Sequence, residues 1–148
     1  MYRKGRTCRS SPVAARCLGE QEWTGMDRYR IQEEVEELQK DYPVKWSIEK
    51  GYVMITRYGY PRGWSPRTAP LFFSLPYTYP RQPPDVYLPP DMLYQGKTVI
   101  HQLRPNDDGW RKWCIDRINW QPANHTLYTM TELMRRSLMK PYQNRLIK

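Results

Sequence analysis

The chain has 148 residues, with 24 basic and 15 acidic side chains that give a formal net charge of +9. This length suits one domain with a single modest core, and no apolar run is long enough for a signal peptide or a membrane span. Because the charge is not accompanied by a basic repeat rich in aromatic residues, we do not expect nucleic-acid binding to be the main function.

Residues 1–25 carry five basic and two acidic side chains and show no hydrophobic periodicity. This composition predicts a disordered basic lead before a single domain over residues 26–148, and Met26 is an alternative start of the natural chain. The three cysteines, Cys8, Cys17 and Cys114, are irregularly spaced. They argue against a disulfide framework and favour a reduced, cytoplasmic setting.

A first helix is predicted from a cap at Asp27 to about Lys40. Apolar side chains recur along it at helical spacing and define an inner face: Ile31, Val35, Leu38 and Tyr42. Four glutamates are predicted to line its outer face: Glu33, Glu34, Glu36 and Glu37. The sequence therefore predicts one amphipathic helix that packs on the rest of the domain.

Four β-strands are predicted to follow this helix. Residues 42–61 alternate apolar and polar side chains around a turn at 49–51, which indicates a hairpin. A third strand is predicted within 71–77 and a fourth within 85–90. Between them lies the segment YPRQPP, which cannot pair regularly because proline lacks a backbone donor.

The last predicted elements are a long irregular loop from Pro89 to Asn119 and a helix from about Thr126 to Lys140, which Pro141 ends. Long ordered loops in compact domains are usually functional, so we expect a site in this one. The order helix, four-stranded antiparallel meander, irregular loop and helix predicts an α+β fold.

Five short motifs occur in a fixed order along residues 79–141. They are Tyr79-Pro80 with Pro83-Pro84, Arg104-Pro105-Asn106, Cys114-Ile115-Asp116, Trp120-Gln121-Pro122, and Pro141. In this order they resemble the ubiquitin-conjugating enzymes, the UBC family, in which a Tyr-Pro-x-x-Pro-Pro turn, a His-Pro-Asn tripeptide, a Cys-x-Asp and a Trp-x-Pro follow one another. The resemblance implies a UBC-like fold for the domain.

The resemblance also implies a function. Cys114 would accept the C-terminal acyl group of a ubiquitin-like modifier as a thioester and yield it to an amine of an acceptor protein. Asn106 would stabilise the oxyanion formed when the amine attacks, or support the active-site loop. Asp116 would either bind backbone amides of its own loop or orient the incoming lysine, and Asp107 and Asp108 are equal candidates for the second role.

The partners implied are the modifier, an activating enzyme that loads it, and the acceptor protein, with no metal or organic cofactor. Arg28, Tyr29 and Arg30 on the first helix are candidates for contact with the activating enzyme. The tryptophans of the loop are expected to wall it and exclude water: Trp110, Trp113 and Trp120. No membrane contact is expected.

The sequence departs from the family pattern at several points. Arg104 replaces the family histidine, extra residues precede that motif, and the family's C-terminal helices are missing. The residues after Pro141 also lack the acidic side chain that often follows there in the family. These departures indicate a short, divergent member, closer to bacterial or archaeal relatives than to the eukaryotic enzymes.

Two interpretations of Cys114 remain open on sequence grounds. Four basic residues flank it and would favour the thiolate if they are near it in space: Arg104, Arg111, Lys112 and Arg117. A small buried residue is the alternative, since unpaired cysteines are often core residues. In that case the domain would be a catalytically inactive UBC-like or RWD-like protein-binding module. His101 and His125 lack the spacing of a zinc site.

Overall fold

The computed structural model describes residues 27–99, 102–115 and 118–141, with the backbone but not the side chains of Leu103 and Arg104. Two helices and eight strands lie in this part of the chain. The helices are α1 (Arg28–Gln39) and α2 (Leu127–Met139). The strands are β1 (Val44–Ser47), β2 (Tyr52–Gly59), β3 (Trp64–Ser65), β4 (Thr68–Ser74), β5 (Asp85–Leu88), β6 (Leu93–Tyr94), β7 (Gln102–Pro105) and β8 (Arg111–Trp113).

Helix α1 begins where the sequence predicted. The Asp27 carboxylate accepts a hydrogen bond from the Arg30 backbone N–H at 3.0 Å, which satisfies one of the donors left open in the first turn. One glutamate was assigned to the wrong side, because Glu34 is buried with only 4% of its surface exposed. It lies three residues after Ile31 and four before Leu38, on the inner face of the helix.

The predicted meander is confirmed and forms most of the main sheet. Strand β1 pairs with β2, β2 with β4, and β4 with β5, all antiparallel. The first turn is closed by the Gly51 N–H, which donates to the Ile48 carbonyl at 3.1 Å. Gly51 has a φ of 71°, a left-handed conformation in which a side chain is strained.

The prediction of a four-stranded sheet with an irregular loop after it was wrong. Strands β7 and β8 form a further hairpin that joins the edge of β5, giving a six-stranded sheet in the order β1-β2-β4-β5-β8-β7. Strand β6 pairs with β3 as a separate two-stranded sheet. Strands β6, β7 and β8 contain two to four residues each, too few to show a period of two in the sequence. Proline and charged residues in β7 and β8 obscure the alternation further.

Aromatic rings form a connected part of the core. Tyr58 lies edge-on to Tyr60 at 5.2 Å between centroids, Tyr60 lies 6.0 Å from Trp64, and Trp64 lies 5.6 Å from Trp113. The indole N–H of Trp64 donates to the Leu138 carbonyl, and that of Trp113 to the Ser137 hydroxyl. Both tryptophans therefore fix α2 to the sheet, and Trp113 is a core residue.

Helix α2 is also confirmed, with its cap. The Thr126 side chain accepts from the Thr129 N–H and the Thr129 hydroxyl accepts from the Thr126 N–H, so two backbone donors are satisfied reciprocally. Lys140 closes the helix directly before Pro141. Apolar residues of both helices join those of the sheet in one core.

Several predictions fall on parts of the chain that lie outside the described residues. These are the disordered lead over 1–25 with Cys8 and Cys17, the side chain of Arg104, and the residues His101, Asp116 and Arg117. Within the described ranges, neither helix has the length and apolar character needed to cross a membrane.

Candidate active site

Cys114 is the first residue after β8 and is partly buried. The preceding residue, Trp113, pairs with Val86 in the ladder between β5 and β8, and its ring lies in the core. The cysteine is therefore held next to a residue whose ring is fixed in the core. This is the kind of rigid support that a reactive side chain needs.

A cleft of about 360 Å³ opens beside Cys114. Most of its other walls are apolar: Pro83, Pro84, Val86, Trp113, Ile115, Ile118 and Met130. Two charged side chains, Asp85 and Lys112, also line it. The cleft thus joins the proline-rich turn before β5 to the segment that follows β8, which are about thirty positions apart in the sequence.

Asn106 lies on the turn that connects β7 to β8. Its side-chain carbonyl accepts the backbone N–H groups of Asp108 at 2.9 Å and Trp110 at 3.0 Å. Its own N–H donates to the Trp110 carbonyl at 2.7 Å, and its carbonyl accepts from Gly109. The side-chain oxygen is therefore part of the turn, as asparagine side chains in turns commonly are.

The same contacts place Asn106 away from Cys114. Trp110, to which Asn106 is bonded, directly precedes β8 and stands four residues before the cysteine. Four residues of extended chain span roughly 13 Å. Asn106 and Cys114 thus occupy opposite ends of one short strand, and the structure does not bring these two predicted site residues together.

The acidic residues named from the sequence lie mainly at the turn end of β8. Asp107 and Asp108 are exposed next to Asn106, and Asp116 is outside the described residues. The carboxylate that the described structure does place on the cleft is Asp85, which the sequence did not indicate. Lys112 Nζ lies 3.3 Å from its Oδ1. Only the pairing of β5 with β8, which was not predicted, brings Asp85 near the cysteine.

Of the four basic residues expected around Cys114, Lys112 lines the cleft. Arg111 precedes it on β8, and the described residues that line the cleft do not include it. The side chain of Arg104 and the whole of Arg117 lie outside the description. The positive charge placed at the cleft is therefore that of Lys112, and Asp85 offsets much of it.

Two of the predicted motifs do meet in space. The Trp120 indole N–H donates to the Pro80 carbonyl at 2.7 Å, and the Trp120 ring lies 6.1 Å from that of Tyr79. His125 lies 5.6 Å from the same indole and accepts the Gln121 N–H at Nδ1, so it orders this loop. The proline-rich turn is thereby attached to the segment that leads from the cleft to α2.

The buried carboxylate of Glu34 on α1 fixes this arrangement. Glu34 accepts hydrogen bonds from the Tyr79 hydroxyl, from the Leu127 N–H at 2.8 Å and from Arg30 Nε at 2.6 Å. Burial and the adjacent negative charge of Glu34 raise the pKa of the Tyr79 hydroxyl well above its usual value. Helix α1, the Tyr79 turn and the start of α2 are thus tied at one point, which sequence reasoning missed because Glu34 was assigned to the outer face.

The three candidates for a partner contact on α1 differ in their surroundings. Tyr29 is 84% exposed. Arg28 is exposed and lies 3.9 Å from Glu49. Arg30 instead bonds Glu34 and the His125 carbonyl, so its role is internal.

No family model matches this chain, and no curated protein sequence matches it either.

Proposed function

We propose that the domain is a UBC-like acyl transferase that carries a ubiquitin-like modifier as a thioester on Cys114. The observation that carries the proposal is the convergence of distant motifs on one cleft. The prolines of the Tyr-Pro-x-x-Pro-Pro segment and Cys114 line the same space, and Trp120 of the Trp-x-Pro segment is bonded to Pro80. An apolar cleft beside a thiol suits an extended, uncharged peptide end.

The chemistry requires two exchanges at the Cys114 sulfur. In the first, the thiolate attacks the thioester carbonyl of a loaded activating enzyme, and the sulfur of that enzyme leaves as a thiolate. In the second, an amine of the acceptor attacks the new thioester and loses a proton, and the Cys114 thiolate leaves. Asp85 lies on the cleft and is the described carboxylate best placed to take up that proton.

Asn106 takes the supporting role in this proposal. Its side-chain carbonyl is occupied by two turn amides at the far end of β8, so its contribution is to hold the β7–β8 hairpin, which in turn positions Cys114. A direct bond to an oxyanion at Cys114 would need the hairpin to rearrange. The same observation favours the second candidate function, a UBC-like or RWD-like binding module without chemistry.

The deciding experiment compares thiol reactivity with acyl transfer in a protein whose Cys8 and Cys17 are changed to serine. The first reaction is alkylation of Cys114 by iodoacetamide, in the native and the denatured state. The second is loading by a synthetic peptide thioester that ends in glycine, followed by discharge with free lysine. Cys114→Ser is the control for both, and the acyl adduct is read by mass.

For a transferase we expect native alkylation, an adduct on Cys114 that hydroxylamine removes, and slower discharge by lysine in Asp85→Asn. A thiol that is alkylated only after denaturation, and that accepts no acyl group, would establish Cys114 as a structural residue. The binding module would then be the better description.

A further inference from the structure

Lys112 on β8 and Cys114, the first residue after this strand, both line the cleft of about 360 Å³. Two residues of extended chain span roughly 7 Å, and residues two apart lie on the same face of a strand. The flexible four-carbon stem of a lysine covers a comparable distance. The amine of Lys112 is therefore within reach of an acyl group that is carried on the Cys114 sulfur.

The ion pair with Asp85 directs the Lys112 side chain towards the cysteine. The last pair in the ladder between β5 and β8 is Val86 with Trp113. Beyond that pair the next residue on one segment is Asp85, and on the other it is Cys114. Lys112 Nζ lies 3.3 Å from Asp85 Oδ1, so the side chain leans along β8 in the direction of Cys114.

The surroundings of Lys112 suit a transfer from the cysteine. The side chains of Lys112 and Asp85 are 43% and 51% exposed, and an ion pair that is this exposed is weakly held. Lys112 can therefore exchange Asp85 for another contact in the cleft. The mostly apolar walls would hold an uncharged acyl chain beside the amine. An amine held next to a thioester has a large advantage over a free amine, because it need not be brought from solution.

We propose that Lys112 is an acyl acceptor for Cys114, so that an acyl group carried as a thioester passes to the chain's own lysine as a stable amide. This inference rests on the proposed function, in which Cys114 accepts an acyl group, and adds an acceptor site to it.

The transfer is an exchange of a thioester for an amide. The Lys112 ammonium first loses one proton to water, and the neutral amine attacks the thioester carbonyl carbon. The C–N bond forms as the C–S bond breaks, and the Cys114 sulfur leaves as a thiolate. The second proton of the nitrogen passes to the carboxylate of Asp85, which already lies beside it.

Lys45 on β1 is a matched control on the same face of the sheet. It is in register with Lys112 across five strands, through Met54, Phe72 and Tyr87. Since neighbouring strands lie about 4.8 Å apart, the two lysines are separated by roughly 19 Å. Lys45 is exposed, whereas Lys112 is partly buried. Acylation that follows exposure alone would therefore favour Lys45, and transfer from Cys114 would favour Lys112.

The test uses the full chain with Cys8 and Cys17 changed to serine, and the synthetic peptide thioester that ends in glycine. After loading, the excess peptide is removed and the protein is incubated, so that the acyl group comes from Cys114. Hydroxylamine then cleaves the remaining thioester but not an amide, and mass mapping of a digest locates the amide. We expect at least about tenfold more amide on Lys112 than on Lys45, because Lys112 is held near the thioester. The amide should grow as the thioester decays, at a rate independent of protein concentration.

Two conservative variants test the assignment. Lys112→Arg keeps a positive charge beside Asp85 but is not an acyl acceptor, so the amide should disappear and the Cys114 thioester should persist longer. Lys45→Arg should leave the amide yield and the thioester lifetime within about twofold of those of the parent chain. The amide is mapped first in the chain that retains Lys112, so the result does not depend on the folding of a variant.

Several results would overturn the proposal. Equal amide on Lys112 and Lys45, or the same Lys112 amide in Cys114→Ser after the same treatment, would mean that the lysines react directly with the peptide. A rate of amide formation that rises with protein concentration would mean transfer between chains. A Cys114 thioester that decays by hydrolysis alone would reject Lys112 as the acceptor and leave the transferase function standing. If Cys114 accepts no acyl group, both the transferase function and this inference are wrong.

Discussion

The two ends of strand β8 are held in different ways. At its start, Asn106 closes an exposed turn through local hydrogen bonds to Asp108 and Trp110. At its end, Trp113 is buried against Trp64 and Ser137, and Cys114 follows beside an apolar cleft. Local hydrogen bonds at a surface contribute little net free energy, whereas core burial contributes much. The cysteine end is therefore the rigid one, although sequence motifs group both residues in one site.

The largest expected effect comes from the core anchor of the cysteine end. Trp113→Ala should lower the free energy of unfolding by about 3–5 kcal/mol, because it leaves a cavity against Trp64 and α2. Trp110→Ala, in the same hairpin but partly exposed, is the matched control and should cost about half as much or less. Urea unfolding measures both. Similar losses in the two variants would show that the ends of β8 are not held differently.

The second effect concerns the carboxylate that holds the proline-rich wall of the cleft. Glu34→Ala should destabilise the fold by about 3 kcal/mol, since it leaves the Tyr79 hydroxyl, the Leu127 N–H and Arg30 without their acceptor. Glu33→Ala, an exposed neighbour on α1, should change stability by less than about 0.5 kcal/mol. Thermal unfolding measures the loss of stability in both variants. An equal, small loss in both would show that the hydrogen bonds of Glu34 do not hold the proline-rich wall of the cleft.

A smaller effect is expected at the turn end of β8. Asn106→Ala removes the acceptor of two exposed backbone amides and should cost about 1 kcal/mol, while Cys114 alkylation changes less than about twofold. Asn106→Asp keeps the acceptor and should restore the stability. If Asn106→Ala leaves stability intact but slows discharge of a Cys114 thioester by about a hundredfold, the side chain acts in the chemistry and the supporting role is wrong.

The smallest effect at neutral pH is expected at Tyr58, one of the buried aromatic rings of the core. The Tyr58 hydroxyl is buried without a hydrogen-bond partner in the described part of the chain. Tyr58→Phe should therefore leave stability unchanged or raise it by up to about 1 kcal/mol at pH 7.

The contribution of Tyr58 to stability becomes measurable at alkaline pH. Burial raises the pKa of Tyr58 to about 12 from its usual value of 10.0. The fold favours the neutral phenol, so this stabilisation is complete below pH 10 and is lost as the pH rises through 12. Stability should fall less steeply over this window in Tyr58→Phe than in the natural chain, whereas Tyr29→Phe, which alters an exposed ring, should leave the slope unchanged.

Local signals in the sequence were sufficient for much of the fold. The two helix caps and the Gly51 turn depend on contacts within a few residues, so the local sequence predicts them. The four meander strands have an alternation of apolar and polar side chains that is long enough to recognise: β1, β2, β4 and β5. Strands β7 and β8 were missed because their pairing is decided by the exposed edge of β5. The edge of a sheet pairs through backbone hydrogen bonds, so a short strand can join it even when its side chains do not alternate between apolar and polar.

The candidate site divides in the same way. The sequence by itself determined that a cysteine follows a tryptophan and a basic pair, and that proline and tryptophan motifs lie on either side of it. Only the tertiary structure decided which side chains share its cleft: Asp85 entered through the ladder between β5 and β8, and Asn106 was left at the far end of the strand. The contacts of the Phe72 ring with Tyr52 and Tyr87 were likewise decided by strand register. Side chains from distant segments become neighbours through backbone hydrogen bonding, and a linear pattern contains no record of those pairings.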